Sequence, residues 1–181
     1  MGRVKLFWIT NMSSKKIQLL LLSEGRVSAS ELYTSTLKRI LDQGKVQVDV
    51  AGSMEDGISR LASRQTYDVM VLGWFREEAP TPDFIGQIRL RADSVPIVML
   101  SDTMAGETIS LLFKSGIRGW LIRDKLTADD LMKTLEEAVG ESRLKEDTRR
   151  VVHEAFLKAS HDPLTGLPNR LLFQDRLSIV L

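Results

Sequence analysis

The sequence predicts an α/β protein: a five-stranded parallel sheet, doubly wound, with a long helical extension on its C-terminal side. Three observations lead there. Five short apolar bursts alternate strictly with helix-period segments, the pattern of a parallel sheet with right-handed crossovers. Several bursts, "IQLLLL" and "VPIVML" among them, are almost continuously apolar, as strands covered on both faces are. After the fifth burst the helical pattern runs well past one crossover.

The elements follow in order. "IQLLLL" (Ile17–Leu22) is the first central strand. A helix runs from about Ser28 to Gln43 with Leu32, Leu37, Ile40 and Leu41 on its apolar side, and Gly44 fits its end. "VQVDV" (Val46–Val50) alternates as a strand. Ser53 caps a second helix with Asp56 three residues on, and Ile58, Leu61 and Ala62 mark its buried side. "DVMVL" (Asp68–Leu72) is a strand ending on Gly73. A turn-rich stretch leads to a short helix around Asp83–Arg91, then the strand "VPIVML" (Val95–Leu100). Ile109, Leu112 and Phe113 line a helix closed by Gly116, and "GWLI" (Gly119–Ile122) is the last strand. Thr127 and Asp130 repeat the capping signature before the long helix. "VKLFWI" (Val4–Ile9), in an extension over residues 1–16, reads as an edge strand, a segment packed on a partner, or a mobile tail.

Composition narrows the function. Lys and Arg total 25 against 24 for Asp and Glu, so charge gives no case for nucleic acid or an anionic membrane as partner. The absence of cysteine excludes disulfides, thiolate chemistry and Cys-based metal sites, and fits a cytoplasmic protein. The longest apolar run is too short to cross a bilayer. The N-terminal stretch lacks the apolar length and small-residue cleavage site of a signal peptide.

In open α/β sheets, chemistry gathers past the carboxyl ends of the strands. Those ends supply Ser23, Glu24, Gly73, Ser101 and Arg123. With "LLLLSEG", "DVMVLG", "IVMLSD" and "GIRGWLIRD" at these places, residues 17–140 resemble the response-regulator receiver domain, of flavodoxin-like, CheY-like architecture. The resemblance places an acidic pair at Ser23 and Glu24, a phosphoacceptor aspartate at Gly73, a hydroxyl at Ser101, a switch aromatic at Trp120 and a lysine at Arg123. The departures decide the reading. Gly73 removes the nucleophile, and Ser23 leaves Glu24 as a lone acid, a poor site for Mg²⁺, which wants several oxygen ligands. We therefore expect a degenerate phosphorylation pocket, a pseudo-receiver with neither catalytic residues nor a metal. Asp68 lies at the wrong end of its strand to substitute as acceptor, and Asp102 comes near the pocket without alignment. Three roles stay open for Arg123: bidentate pairing, with Glu24 as the obvious partner, exposure to solvent, or anchoring a small anion above Gly73. Ser101 and Trp120 take structural roles, and the face formed by the fourth helix, last strand and fifth helix is the expected partner surface.

The long helix packs Leu131, Leu135, Ala138 and Val139 on the sheet, then becomes a polar linker over residues 141–160. There Leu144, Thr148, Val151 and Ala155 fall at coiled-coil spacing in a short, polar run, and a dimeric helical stalk is preferred to a solvated connector because of the motif that follows. "HDPLTGLPNRLLFQDRL" follows. Asp162 and Pro163 break the helix, Gly166 permits a turn, and Pro168 suits the first turn of a new helix. Asp162, Leu164, Thr165, Gly166, Leu167, Asn169, Arg170 and Phe173 match the opening of the GGDEF domain of diguanylate cyclases. The resemblance implies that residues 161–181 are the start of such a domain, short of its catalytic residues. It implies an input module of a cyclic di-GMP signalling protein, a homodimer or the partner of another signalling protein, with GTP and Mg²⁺ used only by the missing output domain. A phospho-receiver with an unusual acceptor and a small-anion or nucleotide sensor are the alternatives. The apolar stripe of the last helix is expected to be mobile or covered by another copy.

Overall fold

A computed structural model describes residues 16–41, 44–62, 66–78, 80–91, 94–103 and 109–160. The extension, including Val4–Ile9, and the GGDEF-like motif at 161–181 lie outside the described residues. Strands β1 (Ile17–Gly25), β2 (Val46–Val50), β3 (Val69–Phe75), β4 (Ile97–Ser101) and β5 (Ile117–Ile122) form one parallel sheet in the order β2-β1-β3-β4-β5. Helix α1 comprises Ala29–Leu32, a π-helical stretch Tyr33–Leu37 and Lys38–Leu41. Then come α2 (Met54–Ala62), α3 (Pro82–Arg89), α4 (Ile109–Ser115), a 3₁₀ turn (Arg123–Lys125) and α5 (Ala128–Ser160). The chain divides into two compact units, Met1–Gly140 and Glu141–Leu181.

Side-chain alternation along the strands splits the apolar residues into two layers. On one face Leu19, Leu21, Val69, Val71, Val98 and Leu100 pack with α1 and with Leu131, Leu135, Ala138 and Val139 of α5. On the other Leu20, Leu22, Met70, Leu72, Ile97 and Met99 pack with Ile85 and Ile88 of α3 and Leu112 of α4. Both faces are covered, which is why the strand sequences read as apolar runs.

The caps predicted at Ser53 and Thr127 are present, and Ser28 and Thr81 cap two further helices. Ser28 accepts from Glu31 N, Ser53 from Asp56 N, Thr81 from Phe84 N and Thr127 from Asp130 N. Local reading needs four corrections. β1 and β3 stay in register through Ser23–Gly73, Glu24–Trp74 and Gly25–Phe75, so Gly73 lies inside β3 and does not end it. On α2, Ala62 is exposed and Gly57 is the buried residue; a Cβ there would collide with Leu22, so a glycine lets α2 lie close on β1. Phe113 is 38% exposed while Leu112 is fully buried. The π stretch interrupts the regular α1, where the Thr34 and Ser35 hydroxyls donate back to the Ser30 and Glu31 carbonyls.

Within the second unit, the helix surface carries the ion pairs Lys145–Glu141 (2.8 Å) and Arg150–Asp147 (3.3 Å), which support a helix by a few tenths of a kcal/mol each. Leu144, Val151 and Val152 are exposed, at 58%, 61% and 62%.

One polar group in the first unit makes stability depend on alkaline pH. Tyr67 is buried and donates to Asp49 Oδ2 at 3.0 Å. Burial first, then the Asp49 hydrogen bond and charge, raise its pKa above the ordinary 10.0, against an opposing effect of Arg60. The unfolded chain therefore loses this proton at lower pH than the native protein. Stability is fully present below pH 10 and falls as pH climbs through the native pKa, by at most about 1.4 kcal/mol per pH unit. In urea melts from pH 9 to 11, the native protein should lose stability more steeply than Tyr67→Phe; equal slopes would refute the assignment.

Candidate functional site

The sheet order puts its switch point between β1 and β3, whose connections leave in opposite directions, and the crevice outside their carboxyl ends is where such folds place ligands. Here the floor of that crevice is tightly packed at Gly73. A Cβ built on Gly73 would lie 2.8 Å from Leu32 Cδ2, 2.8 Å from Ser23 Oγ and 2.9 Å from Phe75 Cε2. Leu32 comes from α1, is fully buried, and covers the strand where a longer side chain would stand. Anchoring a small anion above Gly73 is one of the three roles open to Arg123; the space next to Gly73 is lined by Leu32, Ser23 and Phe75.

The remaining strand-end residues are each committed to a protein partner. Ser23 donates to the Val27 carbonyl at 2.6 Å, closing the turn after β1. Glu24 accepts from Arg76 Nη1 at 3.1 Å. Ser101 donates to the Thr103 carbonyl at 2.6 Å and accepts the Trp120 indole N–H at 2.7 Å. Trp120 also packs on the apolar layer of α3 and α4.

Arg123 corrects the sequence reading. Its Nη2 lies 2.8 Å from Asp102 Oδ1, its Nε 3.9 Å from Asp124 Oδ1, and its guanidinium carbon 4.9 Å from the Phe75 ring centre. Glu24 is not its partner, and with 28% of its side chain exposed it does not simply face solvent. Strand order supplies the reason. β1 is separated from β5 by β3 and β4, about 14 Å at ordinary strand spacing, whereas Asp102 leaves the neighbouring strand β4. Asp102 also accepts from Arg26 Nη2, so one carboxylate joins the turn after β1 to the end of β5. Its Oδ1 is buried and meets Arg123 as an ion pair out of hydrogen-bond alignment. Asp102 is the site residue that the sequence left unassigned. The available signal was its place directly after β4, one strand away from Arg123.

Beside these groups opens a cleft of about 1050 Å³, walled by Trp74, Phe84, Ser101, Asp102 and Trp120. The Trp74 and Phe84 rings lie 5.1 Å apart, and the Trp74 indole donates to the Glu78 carbonyl. Arg26 and Arg76 stand against Glu77, Glu78 and Asp102 along its lining, so charge does not select an anion. Among the described residues no group of three or more His, Asp, Glu or Cys is placed to hold a metal. The oxygens that Mg²⁺ would need are not gathered here, since Glu24 and Asp102 each hold arginines. No helix among the described residues is long and apolar enough to cross a membrane.

Fold and strand order define the flavodoxin-like architecture of receiver domains. The solved structures that the chain resembles are of that kind. The receiver domain of a sensor histidine kinase from Pseudomonas aeruginosa PAO1, described with magnesium in its active-site cleft, has 15% identity and a TM-score of 0.53, over 69% of this chain and 98% of that one. A CheY-like response regulator receiver domain protein from Methanospirillum hungatei JF-1 has 13% identity and a TM-score of 0.54, over 73% and 99%. A structure described as adenylate cyclase from Rhodopirellula baltica has 14% identity and a TM-score of 0.56, over 76% and 98%. At these identities the likeness is one of fold. No family model matches the chain, and no curated protein does.

Proposed function

We propose that this chain is a receiver-like regulatory module that signals without phosphorylation, through protein contacts. The observation that carries the reading is the floor of the crevice, where Gly73 supplies no carboxylate and a Cβ would lie within 2.9 Å of side-chain atoms of Leu32, Ser23 and Phe75, so an acceptor there requires those neighbours to shift. The pairing of Asp102 with Arg26 and Arg123 supports it, because this alternative carboxylate is held by two cations. The working surface is the face of α4, β5 and α5. Leu144, Val151 and Val152 on the helix of the second unit favour a homodimer, since exposed apolar residues at this spacing gain by burial against a second copy. The motif at 162–173 supports a place in cyclic di-GMP signalling, in a cytoplasmic protein whose output domain is of the GGDEF kind.

Incubation with acetyl phosphate and Mg²⁺ should leave the intact mass unchanged. A gain of one phosphoryl group, removed by hydroxylamine, would replace this reading with that of a phospho-receiver using an unusual acceptor.

A further inference from the structure

Ser101 and Asp102 are neighbours at the carboxyl end of β4, and both are fastened, to different elements. Ser101 holds the indole of Trp120 at 2.7 Å and the Thr103 carbonyl at 2.6 Å. Asp102 holds Arg26 after β1 and Arg123 at the end of β5. Trp120 is opposite Met99 in the β4–β5 register, so its indole reaches along β4 to Ser101. The two residues share one planar peptide unit, so a displacement of Asp102 is passed to the backbone of Ser101.

We propose that Asp102 is the positioning residue for Trp120: by bridging Arg26 and Arg123 it fixes the end of β4, and through Ser101 it holds the indole turned inward. This rests on reading the α4, β5 and α5 face as the partner surface, and it names the control of that face. Arg26 is the arm open to outside influence, with 70% of its side chain exposed, whereas 19% of Asp102 is. A partner that draws Arg26 away loosens the latch. Among the described residues, Asp124 also lies within ion-pair distance of Arg123, but it is 81% exposed and holds it only at 3.9 Å. Asp124 therefore does not replace the Asp102 bridge.

The test is fluorine NMR of the whole chain labelled with 5-fluorotryptophan. The chain has three tryptophans, Trp8, Trp74 and Trp120, and Trp120→Phe and Trp74→Phe assign two of the signals. Asp102→Asn should move the Trp120 signal in the direction that Ser101→Ala moves it, with Trp74 shifted less. Arg26→Gln should produce a smaller shift the same way. Asp56→Asn, which breaks the remote Arg60–Asp56 pair, should leave Trp120 in place. Should Asp102→Asn fail to fold, Arg26→Gln decides alone. An unmoved Trp120 signal in a folded variant overturns the proposal, as does a Trp74 shift of equal size, which reports general loosening. The readout is independent of phosphoryl transfer, so this idea and the proposed function can fail separately.

Discussion

Gly73→Asp is expected to destabilise the protein by about 3–5 kcal/mol, and it should not create a working phosphoacceptor. Two costs add. The new Cβ alone must displace Leu32 Cδ2, Ser23 Oγ and Phe75 Cε2, each within 2.9 Å of its position. Overpacking of a tight core typically costs about 1–3 kcal/mol. The carboxylate then has to ionise under Leu32, which is fully buried, and desolvation raises the cost further. Denaturant melts of the purified variant measure the sum. A loss below about 1 kcal/mol would mean that α1 moves aside readily and that the crevice is not closed by packing.

Leu32→Ala should be the next most damaging change, at about 2–5 kcal/mol, the range for buried leucine truncations. Its cost should depend on residue 73. Leu32 Cδ2 is one of the three atoms that exclude a side chain there, so Gly73→Ala is damaging beside the intact leucine and less so once Leu32 is cut back to alanine. The double variant Leu32→Ala/Gly73→Ala should therefore be more stable than the sum of its singles by about 0.5–3 kcal/mol, the size of coupling between residues in contact. Compensation stays partial because Ser23 Oγ and Phe75 Cε2 remain in place. Additive effects in a double-mutant cycle would show that Leu32 does not cover Gly73.

Most of the fold was legible because both faces of the sheet are covered. Continuous apolar runs such as "IVML" identify such strands without any partner, and capping pairs such as Ser53 with Asp56 need only local geometry. Strand ends were less legible. Gly73 looks like punctuation, yet β3 runs to Phe75 because ladder bonds to β1 hold it in register there. Gly57 was passed over for a similar reason, since its closeness to Leu22 involves a residue thirty-five positions away.

The sequence by itself determined the alternation that makes a doubly wound sheet, and the glycine at the crevice floor, because apolar periodicity and residue identity are local properties of the chain. Only the tertiary structure decided which charges meet. Glu24 and Arg123 look complementary as text, but two strands stand between theirs, so Arg76 takes Glu24 and Asp102 takes Arg123. Coulomb attraction falls with distance and with intervening solvent, and the distances were set by strand order.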